Sequence, residues 1–250
     1  MLCSFTGELG KEFMKQRGSD ILSIFFPPRC PVCDEVLFPD SRICADCAKK
    51  IMRVREPVCK KCGKPLVEER REYCEDCQKK KHFFVQGKAV FVFEGRIRTS
   101  MYRFKYGGRQ EYAAFYASVA AEQYGRWLQR KGVEAIVPVP MYLWKKRRRG
   151  YNQAEVFAGA LGRELDIPVE CGLVRRIRNT APQKQLNAEE RVHNVKNAFQ
   201  FAANIVKYKK VVLVDDIYTT GSTMDEVAKA LLAAGISEVY YICISIGESY

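Results

Sequence analysis

Two sets of residues in this 250-residue chain have types and spacings suited to chemistry. The first lies in Val211-Val-Leu-Val-Asp-Asp-Ile-Tyr-Thr-Thr-Gly-Ser-Thr223. Val211–Val214 is a short apolar run, the pattern of a strand covered on both faces. Asp215 and Asp216 follow where that strand should end. Thr219, Thr220, Gly221, Ser222 and Thr223 then supply hydroxyls and backbone N–H groups at a helix start. Such a helix end holds anions, because its unpaired N–H groups and about half a positive charge of dipole face the ligand. A phosphate on the loop and a diol on the carboxylates together describe a ribose 5-phosphate. A generic strand end with a capped helix is the competing reading. A response-regulator strand also ends in paired aspartates, but normally near a domain's N-terminus. A P-loop is set aside, because no GxxxxGK[ST] string occurs.

The second set is eight cysteines in four CxxC pairs: Cys30/Cys33, Cys44/Cys47, Cys59/Cys62 and Cys74/Cys77, separated by 10, 11 and 11 residues. In a reducing compartment this spacing argues for metal rather than disulfides. A CxxC turn puts two thiolates on one face of a knuckle, and two knuckles complete a tetrahedron around zinc. The chain has only two histidines, His82 and His193, so mixed Cys/His sites are nearly excluded. The expectation is two structural zinc ions, since four thiolates leave no position open for water. One zinc with a degenerate partner, or a redox dithiol, are the alternatives. Sequential pairing joins Cys30, Cys33, Cys44 and Cys47, and separately Cys59, Cys62, Cys74 and Cys77. A cross-braced arrangement would join the first pair to the third. Sequential pairing is preferred because each half then repeats knuckle, short hairpin, knuckle. Gly63 suits a knuckle position with positive φ. A module of about 50 residues has too little core to fold alone, so metal would supply folding free energy. Cys3 and Cys171 lack partners at metal spacing, and Cys243 reads as a core residue.

Composition sets the frame. A hydrophobic share of 47% suffices for one good core plus a smaller module. The net charge of +13 suits phosphate-bearing partners, either a nucleotide-like substrate or nucleic acid. Ordinary solubility charge is the plain alternative. No apolar run approaches the roughly 20 residues of a membrane span. Met1–Lys15 contains Glu8 and Glu12 and lacks the apolar centre of a secretory signal. The expectation is a cytoplasmic protein.

Periodicity supplies the elements that must position these residues. A short apolar-faced helix is expected over Ser19–Phe26, ended by Pro27-Pro28. Strands are expected over His82–Phe93, Glu134–Val139, Ala198–Phe201 and Glu238–Ile246. Helices are expected over Ile97–Tyr106, Glu111–Gln129, Asn152–Glu164 and Ser222–Ala234. Arg175–Glu190 is polar, basic and weakly periodic, and reads as a mobile loop. Alternating strands and helices imply an α/β fold with a mainly parallel sheet, whose ligand sits beyond the carboxyl ends of the strands. The expected organisation is a helical segment over 1–28, a double zinc ribbon over 29–82, and the α/β domain over 83–250.

The Asp-Asp-to-Thr223 stretch resembles the phosphoribosyl pyrophosphate (PRPP) signature of type I phosphoribosyltransferases. That resemblance implies that Asp215 and Asp216 hold the ribose 2- and 3-hydroxyls while Thr219–Thr223 wrap the 5-phosphate. Pro138, Val139 and Pro140, in Val137-Pro-Val-Pro-Met141, resemble the pyrophosphate loop of the same fold; a proline-bounded turn is the plain reading. Lys145–Arg149 is an unbroken basic run that could meet a diphosphate or a nucleic-acid backbone, or simply be a solvated face. Asn152 could cap the helix that follows. In type I enzymes a loop from the region of Arg175–Arg191 closes over the substrate, which makes Arg176, Arg178, Lys184 and Arg191 candidates. Arg149 and Arg178 are the arginines assigned to PRPP.

Taken in order, Pro27-Pro-Arg-Cys-Pro-Val-Cys33, the CxxC pairs, Pro-Val-Pro, Arg-Arg-Gly-Tyr-Asn-Gln, Thr-Ala-Pro-Gln, Glu-Arg-Val-His-Asn-Val and the Asp-Asp signature resemble the ComF family over nearly the whole chain. The resemblance implies a zinc-ribbon module fused to a phosphoribosyltransferase-like domain. It also implies a link to natural competence, the handling of incoming single-stranded DNA in the cytoplasm, alongside other competence proteins. As an enzyme, the protein would use Asp215 and Asp216 to orient the ribose and favour positive charge at C1, with Mg2+ on the PRPP diphosphate. Thr219 stands where some purine-salvage relatives place an acid, so no nucleobase reader is recognisable. An active transferase of nucleotide or small-molecule metabolism without a DNA role is the alternative. As a DNA-binding protein, it would use the ribbons and Lys145–Arg149, with Tyr102, Phe104, Tyr106 and Tyr151 either stacking bases or packing the core.

Overall fold

The computed structural model describes residues 27–38, 41–178, 198–202 and 207–247. Along them run α1 (Ala45–Lys50), α2 (Glu75–Lys79), β1 (Gln86–Val92), α3 (Gly95–Tyr106), α4 (Tyr112–Lys131) and β2 (Ala135–Pro138). They continue with α5 (Leu143–Arg149), α6 (Gln153–Leu165), β3 (Val174–Arg176), β4 (Phe199–Phe201), β5 (Lys210–Tyr218), α7 (Ser222–Ala233) and β6 (Glu238–Ile246). The helix expected over Ser19–Phe26 lies outside the described residues, as do Cys3, Lys184 and Arg191.

Four strands form a parallel sheet in the order β1-β6-β5-β2. Side chains alternate across a strand, and the two faces bury separate cores. Val212, Val214, Tyr240, Ile242 and Ile244 join the core built with α3, α4 and α6. Val211, Leu213, Val239, Tyr241 and Cys243 join the core built with α7 and the antiparallel β3–β4 pair. Both faces are covered, which is why Val211–Val214 can be uninterrupted apolar residues, all fully buried.

The cysteine module closes the sheet on one side. Among the described residues β1 has β6 as its single sheet neighbour, and the module covers its other edge. Val54 N donates to Val90 O at 2.9 Å, Val92 N to Met52 O at 3.0 Å, and Gly87 N to Lys61 O at 2.8 Å. Pairing this edge removes a template for aggregation. Gly63 has φ +70°, and a Cβ there would lie 2.8 Å from Gly87 O, so the knuckle packs directly on the β1 backbone.

Three local expectations are corrected. β5 does not end before the carboxylates but runs on to Tyr218, because β6 continues to pair with it through Asp215↔Cys243 and Tyr218↔Ile246. Arg175 and Arg176, expected at the start of a loop, lie in the strand Val174–Arg176, anchored by the buried Leu173 and Val174; the polar arginines hid those anchors. The first knuckle of each ribbon is closed by an antiparallel bridge, Arg29↔Val36 and Val58↔Pro65, whereas the second opens a short helix that the repeat did not include, with Cys44 and Cys74 as the N-caps of α1 and α2.

Candidate functional site

β2 stops at Pro138, opposite Val214, and Val139 N still donates to Val214 O at 2.9 Å. β5 continues past that point. Asp215 and Asp216 therefore stand where one neighbouring strand has ended and a crevice opens, the usual ligand position of such sheets. Alternation sends the two carboxylates to opposite faces. Asp216 turns toward α3, where its Oδ2 lies 2.9 Å from Lys105 Nζ. Asp215 lies on the α7 face, near Arg176 of β3. Burial of its carboxyl, aided by the Asp216 charge, raises its pKa to about 7. A 2.8 Å hydrogen bond from Asp216 N, together with Lys105 and Arg176, opposes that rise.

A small cleft at this strand end is lined by Asp215, Ile217, Tyr218 and residues 219–224. Gly221 caps α7 with φ +76°. A Cβ there would lie 2.5 Å from the Tyr218 hydroxyl, so both the conformation and the space require glycine. Thr220 Oγ1 and Ser222 Oγ are 2.9 Å apart, and Gly221 O accepts from Asp225 N at 2.8 Å. The hydroxyls and the first turn of α7 are thus gathered beside Asp215.

Cations converge on the other side. Burial, reinforced by the charges of Arg176 and Arg149, lowers the pKa of Lys145. Burial also lowers that of Arg176, which Asp215 partly offsets. Arg176 thus lies near Asp215 on one side and Lys145 on the other, and Lys145 lies near Arg149. The basic run forms helix α5, and its charges are dispersed: Lys146 Nζ bonds Glu155 at 2.6 Å, Arg148 lies over Trp144, and Arg149 lies over Tyr106 at 4.9 Å. Pro138 and Val139 are buried and Pro140 is half-buried at the start of the adjoining turn. Arg178 is exposed at the end of the described segment, and Arg176 lies near Asp215.

Residues 151–153 tie these segments together. The Tyr151 hydroxyl donates to Phe104 O, and Gln153 accepts from Arg149 at 2.6 Å. Asn152 Oδ1 caps α6 at Ala154 N, while its Nδ2 donates to Val139 O at 3.0 Å. The capping role of Asn152 was legible from sequence. The tie to Val139 and the pairing of Lys105 with Asp216 were not. Lys105 stands in a basic helix exit, but its partner lies far along the chain. Of the four aromatics weighed for base stacking, Phe104 and Tyr151 are buried core residues. Tyr102 and Tyr106 are more than half exposed, with ring centroids 4.9 Å apart.

The eight CxxC cysteines gather in two sequential groups, Cys30/Cys33/Cys44/Cys47 and Cys59/Cys62/Cys74/Cys77, the sulfurs of each within 4.8 Å of one another. Sulfur separations of 3.7 Å (Cys30–Cys44 and Cys33–Cys44) and 3.6 Å (Cys62–Cys74) match the edge of about 3.8 Å expected for a tetrahedron with Zn–S near 2.3 Å. The donor sets fit structural zinc. Arg96 Nη1 lies 3.0 Å from Cys47 Sγ, and Tyr241 OH donates to Cys62 O at 2.6 Å, so side chains of the domain brace both clusters.

Among the described residues no helix is long and apolar enough to cross a membrane. Residues 21–78 match the double zinc ribbon domain, and residues 152–246 match the phosphoribosyl transferase domain. Competence protein F of Haemophilus influenzae is 46% identical over 113 residues, 44% of this chain and 49% of that protein. DNA utilization protein YhgH of Escherichia coli K12 is 41% identical over 113 residues, 44% and 48% of the two chains. Against both, the chain spans about half the length of the relative. Competence protein ComFC of Bacillus subtilis is 26% identical over 204 residues, 80% of this chain and 82% of that protein. Ribbons, parallel sheet and relatives agree: the chain joins a double zinc ribbon to a phosphoribosyltransferase domain and is similar to the ComF competence proteins over most of its length.

Proposed function

We propose that the crevice at the carboxyl ends of β2 and β5 binds PRPP and that the protein acts in handling incoming single-stranded DNA in the cytoplasm. The observation that carries the pocket reading is the meeting of three features at one strand end. They are the Asp215/Asp216 doublet, the hydroxyl-rich start of α7, and the cations Lys105 and Arg176 beside the carboxylates. Thr219, Thr220, Gly221, Ser222 and Thr223 take the 5-phosphate, and the carboxylates take the ribose hydroxyls. The turn at Pro138, Val139 and Pro140, with Arg149 and Arg178, faces the diphosphate. Mg2+ bound with PRPP would neutralise diphosphate charge. Calorimetry with PRPP and Mg2+ tests this. Wild type should bind and Asp215→Asn/Asp216→Asn should not; a wild type showing neither heat nor thermal stabilisation overturns the reading.

Turnover would break the C1–O bond to diphosphate, the electron pair leaving with diphosphate, while an acceptor bonds C1 from the opposite face. A screen of acceptors for diphosphate release distinguishes this metabolic alternative from a purely regulatory pocket. The DNA reading draws support from an exposed aromatic and cationic surface. Tyr102, Tyr106 and Trp144 are each more than half exposed, and Arg148 and Arg149 lie over two of these rings. Such rings stack bases while the guanidinium groups meet phosphates. The family names of the relatives, competence and DNA utilization, favour the same role.

A further inference from the structure

The second cysteine cluster reaches the phosphate loop by two separate routes. In the first, Tyr241 OH donates to Cys62 O at 2.6 Å, and the Tyr241 ring stacks on Tyr218 with centroids 4.9 Å apart and planes 9° apart. The Tyr218 hydroxyl in turn fills the space where a Gly221 side chain would stand. Gly87 makes this stack possible, because a Cβ there would come within 2.0 Å of the Tyr241 ring. In the second route, the chain leaves Cys77 through α2 and docks on Asp225 in the first turn of α7. Lys80 Nζ lies 2.7 Å, His82 Nδ1 2.9 Å and Phe83 N 3.1 Å from that buried carboxylate. The N–H of Asp225 holds Gly221 O. Both routes start at a thiolate-bearing knuckle and end at Gly221.

The first cluster makes its contacts elsewhere. Asp34 meets Arg109 and Tyr112, and the Ser100 hydroxyl donates to Pro31 O, all on α3, α4 and the turn between them.

We propose that Asp225 is a positioning residue, and that metal in the second cluster sets the geometry of the 219–223 loop. Metal at Cys59/Cys62/Cys74/Cys77 and an anion on the loop then bind with positive coupling. This rests on the loop being a phosphate site. Coupling between sites is reciprocal in binding free energy and typically amounts to about 5- to 150-fold, so an anion on the loop must tighten binding of the second zinc.

The full zinc-loaded chain provides the test. The equilibrium partition of zinc between the protein and a competing chelator is measured with and without PRPP and Mg2+, and hydrogen exchange is read over residues 221–226. PRPP should raise the affinity for one of two zinc ions at least about five-fold, and that ion should persist in Cys33→Ser, which disrupts the first cluster. Asp225→Asn keeps an acceptor for Phe83 N but loses the Lys80 charge pair; it should raise exchange over 221–226 several-fold and abolish most of the affinity gain. Equal zinc affinities with and without PRPP, in protein that binds PRPP, overturn the proposal, as does unchanged exchange in Asp225→Asn. If wild type does not bind PRPP, the ribose-phosphate reading fails and exchange alone decides the coupling. Cys77→Ser that leaves 221–226 as protected as wild type, with 211–214 still protected, then overturns it.

Discussion

Lys105 Nζ lies 2.9 Å from Asp216 Oδ2, with both side chains mostly enclosed. α3 delivers the lysine from its last turn, and β5 delivers the aspartate just beyond the end of β2. An enclosed charge that loses its partner costs far more than a surface one. Lys105→Met should therefore lower stability by about 1–3 kcal/mol, and Asp216→Asn should recover part of that loss in the double variant. A double-mutant cycle by urea unfolding measures the coupling. Additive single effects would rule out the pair as an energetic unit.

The neighbouring carboxylate gives a pH signature of opposite character to an ordinary salt-bridged acid. Asp215 titrates at about 7 in the folded chain, against 3.8 as its ordinary value. Between those values the folded state keeps a proton that the unfolded state has released, so this group makes stability fall as pH rises. The slope approaches about 1.4 kcal/mol per pH unit and vanishes above pH 7. Asp215→Asn removes it. Relative to wild type, the variant should gain about 2 kcal/mol between pH 5 and pH 8. Urea midpoints at both pH values, taken as a difference between the two proteins, cancel any zinc loss common to both. A difference that does not change with pH would mean that Asp215 is ionised throughout.

What the sequence discloses divides along local and non-local lines. The cysteine knuckles and the run Val211–Asp216 are contiguous, so their spacing carries their geometry. The α3 spacing of Ile97, Met101 and Phe104 likewise separates a core face from the exposed Tyr102 and Tyr106. The extension of β5 past Asp216 depends on pairing with Ser245 and Ile246, and two acids read alone look like a strand end. The placement of Arg176 near Asp215 depends on the pairing of β3 with β4, Arg176 opposite Phe199, which no local pattern contains. The same holds for Lys105.

Glycine substitutions separate space from propensity. Gly221→Ala adds a Cβ 2.5 Å from the Tyr218 hydroxyl at a φ of +76°. It should destabilise by about 1–3 kcal/mol and weaken PRPP binding at least tenfold, since the loop must shift. Gly159, in the middle of α6, has only an ordinary contact with Arg163 at 3.7 Å. Gly159→Ala should instead stabilise by about 0.5–1 kcal/mol without affecting binding. Thermal unfolding and calorimetry of the two variants check both signs. A Gly221→Ala protein with wild-type binding would remove the loop from the site.

Two zinc ions per chain are expected from metal analysis, falling to one in Cys47→Ser or Cys74→Ser. The two losses should differ in consequence. Cys47 is held by Arg96 of α3, so its loss should loosen α3 and the Lys105 contact. Cys74 lies in the cluster whose Cys62 carbonyl anchors Tyr241, so its loss should loosen the sheet edge at β1. Hydrogen exchange resolves the two regions. A metal content near zero in wild type would sink the ribbon assignment.

The exposed aromatic surface makes the DNA reading quantitative. Tyr106 carries Arg149 over its face at 4.9 Å, and Trp144 carries Arg148 at 5.8 Å. If successive bases stack on these rings, Tyr106→Ala and Trp144→Ala should each weaken single-stranded DNA binding by about 1–3 kcal/mol with little change in its salt dependence. Arg147→Ala and Arg148→Ala should do the reverse. Each should lower the slope of log affinity against log salt by about 0.7, the value of one neutralised phosphate on a single strand. Fluorescence titration of a short oligonucleotide across a salt series reads both quantities together. A flat salt response in wild type, or aromatic variants that bind as tightly as wild type, would move any DNA contact away from α3 and α5.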